Sequence, residues 1–252
     1  MIDELKILYR HGKQFIPDPT TAIVPAPFRG RPVVSQAVVD TSALVELCPT
    51  GAIEATSKVT LDLGKCVFCG ECALLFPAKI KFTNDHRLAT NHRDGLIVKA
   101  GEDRPIELNP DLVRAEIRRV FGQSLKLRQI SAAGDNSFEA ELNACGNVNF
   151  DMGRYGIEFV ASPRHADGVV ITGPISENMA EATDICYHAV PNPKIVVLVG
   201  TDAISGGIFE GSKALNRSFL KKYPIDLYVP GNPPHPLTFI QGILDLTRNK
   251  MK

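Results

Sequence analysis

The chain has 252 residues, 44% of them hydrophobic, with 28 basic and 28 acidic side chains and a formal charge of zero. That balance gives no electrostatic footprint for nucleic acid or for an anionic membrane surface. The longest apolar runs, such as IVVLVG (195–200), have strand length and fall far short of a spanning helix, so the length predicts one large or two modest soluble domains.

The opening stretch, MIDELKILYRHGKQF, scatters charges through its apolar residues and lacks the core of a secretory signal. Leu5, Ile7, Leu8 and Phe15 predict a short amphipathic helix instead. Residues 16–36 are proline-rich and aperiodic, which predicts an extended segment laid across a surface. Residues 1–36 are therefore read as a helix and lead-in, 37–85 as a compact cysteine-bearing unit, 86–122 as a linker with a helix, and 123–252 as the main domain.

Six cysteines stand at 48, 66, 69, 72, 145 and 186. Clustered cysteines in a chain without a secretory signal point to metal ligation before disulfides. The runs ELCPTGAI (46–53) and KCVFCGECALLFP (65–77) resemble a bacterial-type ferredoxin. There the pattern C-x2-C-x2-C-x3-C-P occurs twice, and the last cysteine of each run ligates the cluster of the other. Cys48, Cys66, Cys69 and Cys72 form one complete set under that rule. The other set would need thiols where Val38, Thr41, Leu44 and Phe76 stand, and it is wholly lost. Random loss of four ligands from eight would leave one whole set about 3% of the time. One [4Fe–4S] cluster on Cys48, Cys66, Cys69 and Cys72 is the expectation. A zinc site and a metal-free relic are the alternatives, and C-x2-C-x2-C is tighter than zinc ribbons use. The mostly apolar replacements fit a second cavity filled by packing.

In the linker, NPDLVRAEIRRVF (109–121) predicts a helix capped by Asn109, with Pro110 in its first turn and Leu112, Ile117, Val120 and Phe121 on its apolar face. Beyond 125 the texture becomes strand–helix alternation. Strands are predicted at 155–162, 167–174, 193–201 and 225–231, and helices at 176–189, about 211–222 and 235–249. This predicts a parallel sheet covered on both faces. Gly173, Gly200 and Gly231 close three of the strands, and ligand loops lie beyond the carboxyl ends of such sheets.

Three long segments, 150–179, 190–209 and 223–244, resemble the small cluster-bearing subunit shared by respiratory complex I (its B subunit) and group 4 membrane-bound [NiFe]-hydrogenases. The ferredoxin-like part, with FRGRP (28–32) ahead of it, resembles the ferredoxin subunits of hydrogenase-4 and formate hydrogenlyase complexes. The resemblance implies a flavodoxin-like α/β fold preceded by a small ferredoxin-like α+β domain. It also implies a [4Fe–4S] cluster held by a C-x2-C loop and two later loops. At those four places stand Asp135, Phe138, Asp202 and Asn232, so no cluster is expected there. A cation bound by the three oxygen-bearing residues is one alternative, and polar side chains bonded to loop amides or water are the plainer one. A nucleotide cradle in TDAISGGIF (201–209) is a further alternative to a plain glycine turn.

Cys145 and Cys186 fall on predicted helices and read as small apolar residues. Arg164, His165 and Asp167 precede a strand and read as interface or capping residues, and His235 as a cap or packing residue. No catalytic residue is expected. The resemblance implies a non-catalytic subunit of a membrane-bound oxidoreductase assembly, with one cluster and a scaffolding role. Its implied partners are a large hydrogenase-like or complex I D-like subunit and membrane-arm subunits. The chain would be cytoplasmic, peripheral on the cytoplasmic face of the membrane through those partners, with no transmembrane segment of its own. A stand-alone electron carrier and a non-redox ligand-binding module are the other readings.

Overall fold

The computed structural model describes residues 2–12 and 15–248. Helix α1 (Ile2–His11) stands at the amino end with every residue exposed. The predicted helix is present, but Phe15 lies beyond it, under the Arg154 guanidinium.

The small region is built of two similar halves. Strand β1 (Pro32–Val34), helix α2 (Thr41–Glu46) and strand β2 (Ile53–Ala55) are followed by strand β3 (Val59–Asp62), helix α3 (Glu71–Leu75) and strand β4 (Ile80–Phe82). The outer strands β1 and β4 pair antiparallel, as do the inner strands β2 and β3. Strand β5 (Ile97–Lys99) adds to β3. These pairings draw residues 32–34 and 97–99 into a region whose expected bounds were 37–85. Asp40 caps α2 by accepting from the Ala43 N–H, and α2 delivers the chain to Cys48.

The predicted 109–121 helix is split. Residues 110–112 form a single tight turn, with Asn109 accepting from Asp111, and helix α4 (Ala115–Phe121) follows. Of the expected apolar face only Ile117 and Phe121 are buried, while Leu112 and Val120 face solvent.

The main domain is a five-stranded parallel sheet of β6 (Leu125–Ser131), β7 (Ile157–Phe159), β8 (Gly168–Thr172), β9 (Ile195–Val199) and β10 (Leu227–Val229). Its spatial order is β10-β9-β8-β6-β7. Counted within the sheet this is 2-1-3-4-5, the flavodoxin-like order. Strand β6 is absent from the sequence reading. Lys126, Arg128 and Gln129 interrupt its apolar run, yet it lies between β7 and β8. Alternation still serves it, because Leu125 and Leu127 enter one core and Ile130 the other.

Helices α4, α5 (Ser137–Ala144) and α9 (Pro236–Thr247) pack with one face of the sheet. The core on the other face takes in α6 (Glu177–Ala189) and α8 (Phe219–Lys222), and it runs without interruption into the cysteine-bearing region. The predicted 211–222 helix shrinks to α8. Residues 214–216 instead bond to the loop after β8, with Glu177 N–H donating to Ala214 O and Asn216 N–H to Ile175 O. Thr90 exchanges two backbone hydrogen bonds with Tyr228, covering the edge of β10 with the connector.

Candidate functional site

The small region meets the main domain at the carboxyl ends of the strands. Asp62 ends β3 and accepts a bidentate pair from Arg93 at 2.8 and 2.6 Å, while its Oδ1 also accepts from the Gly64 N–H. This pins the turn that leads into Cys66. Helix α7 (Thr201–Ser205) follows β9, and Thr201 Oγ1 donates to the Cys66 carbonyl at 2.7 Å. Lys65 pairs with Glu210 at 3.7 Å on the rim. The cysteine loop is thereby seated on the first residue after Gly200.

All four expected ligands, Cys48, Cys66, Cys69 and Cys72, line a single pocket with Leu47, Ile53, Leu61 and Phe82 among its apolar walls. Cys66 and Cys72 are buried, Cys48 is half-buried and Cys69 reaches the surface. The loop winds through left-handed backbone at Phe68 (φ 53°) and Gly70 (φ 86°), on either side of Cys69. Backbone N–H groups aim at sulfur: Ala52 at Cys48 Sγ (3.2 Å) and Phe68 at Cys66 Sγ (3.3 Å). Burial pushes the Cys66 thiol up to about 12, with further upward pushes from Cys72, Cys48 and Cys69. Burial likewise pushes Cys72 up to about 11, reinforced by Cys69 and Cys48. Buried thiols held protonated in this way become good ligands only beside compensating cationic charge. Among the described residues no three His, Cys, Asp or Glu side chains converge as a lone metal ion requires. A tetrahedral zinc would draw the sulfurs to about 2.3 Å from one centre. A shared cavity lined by four thiols is a donor set of the kind that iron–sulfur clusters use.

The second ferredoxin position is not uniformly packed. Leu44 is buried and Phe76 half-buried, but Thr41 is exposed and Val38 is 100% exposed. The expectation of a filled cavity holds for Leu44 and Phe76 only. The loop carrying Val38 turns outward to place Asp40 at the start of α2.

The loop of the main domain is different. Phe138 is 1% exposed, and its ring lies over Gly200, where an added Cβ would sit 2.0 Å from Cε1. Gly200, at φ 90°, is thus required both by its backbone and by the ring above it. Asp135 is exposed and turns back on its own helix, accepting from the Ser137 N–H and hydroxyl at 2.9 and 2.6 Å. Asp202 is 5% exposed and its Oδ1 has no partner. Burial pushes its carboxyl up to about 6, the Asp135 charge adds to this, and the Arg217 guanidinium opposes it. Arg217 donates to the carbonyls of Pro174, Asp202, Ala203 and Ile204, tying the end of α7 to the loop after β8. Asn232 lines another cavity, of about 260 Å³, with Arg29, Cys69, His235 and Thr238; neither Asp135 nor Asp202 lines it. The three oxygen ligands of the cation alternative are not gathered.

Residues 136–246 fit the family described as NADH ubiquinone oxidoreductase, 20 Kd subunit. A probable membrane-bound hydrogenase subunit of Pyrococcus furiosus is 31% identical over 130 residues, 52% of this chain and 78% of that protein. The chain belongs to this family. A subunit of the NADH-quinone oxidoreductase of Bacteroides thetaiotaomicron is 41% identical over 109 residues, 43% of this chain but only 55% of that protein. A chain of the membrane-bound sulfane sulfur reductase, an archaeal respiratory membrane complex, aligns with 29% identity and a TM-score of 0.44, over 50% of this chain and 69% of that one. The family match begins after Asp135, so Cys48, Cys66, Cys69 and Cys72 all lie outside it.

The remaining singled-out residues serve the framework. His235 caps α9 by accepting from Leu237 N–H and lies edge-on between Phe28 and Phe150. Its burial, with the neighbouring His86, pushes it down to about 4. Asp167 accepts from the Lys126 N–H at 2.7 Å, joining β8 to β6, whereas Arg164 and His165 face solvent. Cys145 is buried against α9 and donates toward Glu141 O and Pro236 O. Cys186 lies half-buried on α6. Among the described residues no helix is long and apolar enough to cross a membrane. The sequence reading did not single out Arg29, Thr201 or Arg217. Arg29 had a visible signal in FRGRP, whereas the roles of Thr201 and Arg217 depend on loops that meet only in the fold.

Proposed function

We propose that the chain is the iron–sulfur subunit of a membrane-bound oxidoreductase assembly related to complex I and group 4 hydrogenases. It carries one [4Fe–4S] cluster on Cys48, Cys66, Cys69 and Cys72, and its main domain acts as a scaffold. The single observation that carries this reading is the pocket lined by all four thiols, seated on a domain of this family. When bound, the cluster supplies one-electron transfer. Cys48 closes the cage from the first half of the small region, and Cys66, Cys69 and Cys72 hold it from the second. The N–H groups of Ala52 and Phe68 offset thiolate charge, and the apolar walls keep water from the buried ligands. Cys69, at the surface, marks the side for electron exchange.

The main domain supports a scaffold reading because its loop is filled by Phe138 and cross-tied by Arg217. A large hydrogenase-like subunit and membrane-arm subunits are the proposed partners, placing the chain peripherally on the cytoplasmic face. Iron and sulfide analysis of the anaerobically purified chain tests the reading. About four irons per chain are expected. About eight would contradict the filled second site, and none would remove the cluster.

A further inference from the structure

We propose that Arg29 is a positioning residue that raises the reduction potential of the cluster on Cys48, Cys66, Cys69 and Cys72, and holds the loop that winds around it. This rests on the reading above.

Arg29 precedes β1 and crosses to the other half of the small region. Its Nε donates to the Phe68 carbonyl at 2.6 Å. Its stem passes over Gly70, where an added Cβ would lie 3.2 Å from Cδ and 3.7 Å from Nη1. The bond therefore falls within the two residues that join Cys66 to Cys69. Phe68 is buried and holds φ 53° without being glycine, a conformation that persists only when its surroundings impose it. The fixed carbonyl supplies that constraint.

The charge of Arg29 is the second half of the argument. Arg31, two residues on, is neutralised by Asp85 at 3.7 Å and Asp103 at 2.7 Å. Among the described residues no carboxylate lies within ion-pair distance of Arg29. It lines two cavities together with Cys69, the most exposed of the four thiols. A guanidinium stays charged at every accessible pH. Reduction adds one electron, supplied by a redox partner, and breaks no bond. A fixed positive charge beside the cage stabilises the reduced form, and local charge is one of the terms that set cluster potentials.

The test is an EPR-monitored redox titration of the full chain, with dithionite as reductant, on the parent, Arg29→Gln and Arg29→Lys, with iron counted in each. Arg29→Gln is expected to hold iron and titrate at a more negative potential. Arg29→Lys, which keeps charge but loses the Nε bond, is expected to titrate with the parent and to release iron faster to a chelator. If Arg29→Gln alone loses iron while Arg29→Lys holds it at the parent potential, the charge requirement stands. An unchanged potential in Arg29→Gln overturns the inference and leaves the cluster in place. Loss of iron from both variants overturns the effect on potential and leaves Arg29 as a structural tie of the loop. A parent without iron overturns the cluster reading itself.

Discussion

Two loops sit side by side at the carboxyl end of the sheet, and they differ in what fills them. The Cys66–Cys72 loop, with Cys48 from the other half, keeps four thiols around one pocket, two of them buried with their ionisation opposed. The loop ahead of α5 has packing in place of thiols: a phenyl ring over Gly200, a carboxylate folded back on its own helix and a guanidinium bound to carbonyls. A protein interior is close-packed, so a site that loses its occupant is unstable until side chains replace it. The Phe138 loop is filled by its own side chains. The cysteine loop has no such filling, and on the proposed reading its wall of thiols reflects retention of the group they hold. Packing alone thus sets the two loops apart, without reference to relatives.

The largest effect should come from the first loop. Replacing Cys66 with Ser removes a buried ligand whose N–H partner, Phe68, is also lost to the sulfur. Iron is expected to fall below the parent value of about four per chain, because one iron of the cage loses its thiolate. The main-domain core on the α9 side contains none of these cysteines, so its amide-exchange protection should persist. Retention of full iron in this variant would break the comparison at its first term.

Phe138→Ala tests the other loop. Removing a fully buried ring costs about 3–5 kcal/mol when the cavity cannot collapse, and Gly200 offers no side chain to fill it. Denaturant unfolding should report that loss, while iron content stays at the parent value. A cost below about 1 kcal/mol would show that the ring is not the filling the packing argument requires.

Much of this contrast was legible in the sequence, because ligand spacing is local. The spacing of Cys66, Cys69 and Cys72 is local, and the resemblance to a two-cluster ferredoxin grouped Cys48 with them; all four line one pocket. The parallel sheet was legible where the apolar runs were uninterrupted, as in β8 and β9. Strand β6 escaped because Lys126 and Arg128 break its run, although the sheet neighbours on both sides hold it. The 211–222 helix was overread because loop–loop bonds at Ala214 and Asn216 override local propensity. The fillings of the second loop were not legible at all. Phe138 meets Gly200, and Arg217 meets the end of α7, only after the βα units have closed. Val38 shows the converse: its apolar identity predicted burial, but the turn that presents Asp40 to α2 leaves it in solvent.

The smallest effect belongs to Asp202. Its carboxyl is buried, one oxygen is unpartnered, and burial lifts its folded pKa from an ordinary 3.8 to about 6. A carboxyl raised in this way stabilises the folded chain fully below its unfolded pKa. That contribution is lost as pH rises through about 6, because the folded state must then bury the charge. At about 1.4 kcal/mol per pK unit, the penalty above pH 6 is on the order of 2–3 kcal/mol. Asp202→Asn keeps the shape and removes the charge. Its stability advantage over the parent should be small near pH 4, grow up to about pH 6 and level off above that. Because the variant and parent are compared at each pH, acid effects on the cluster cancel in the difference. A variant less stable than the parent at pH 8 would mean that Arg217 uses the Asp202 charge as a partner. The loop would then be an ion-paired site in its own right, rather than one packed around a carboxylate that is costly to bury.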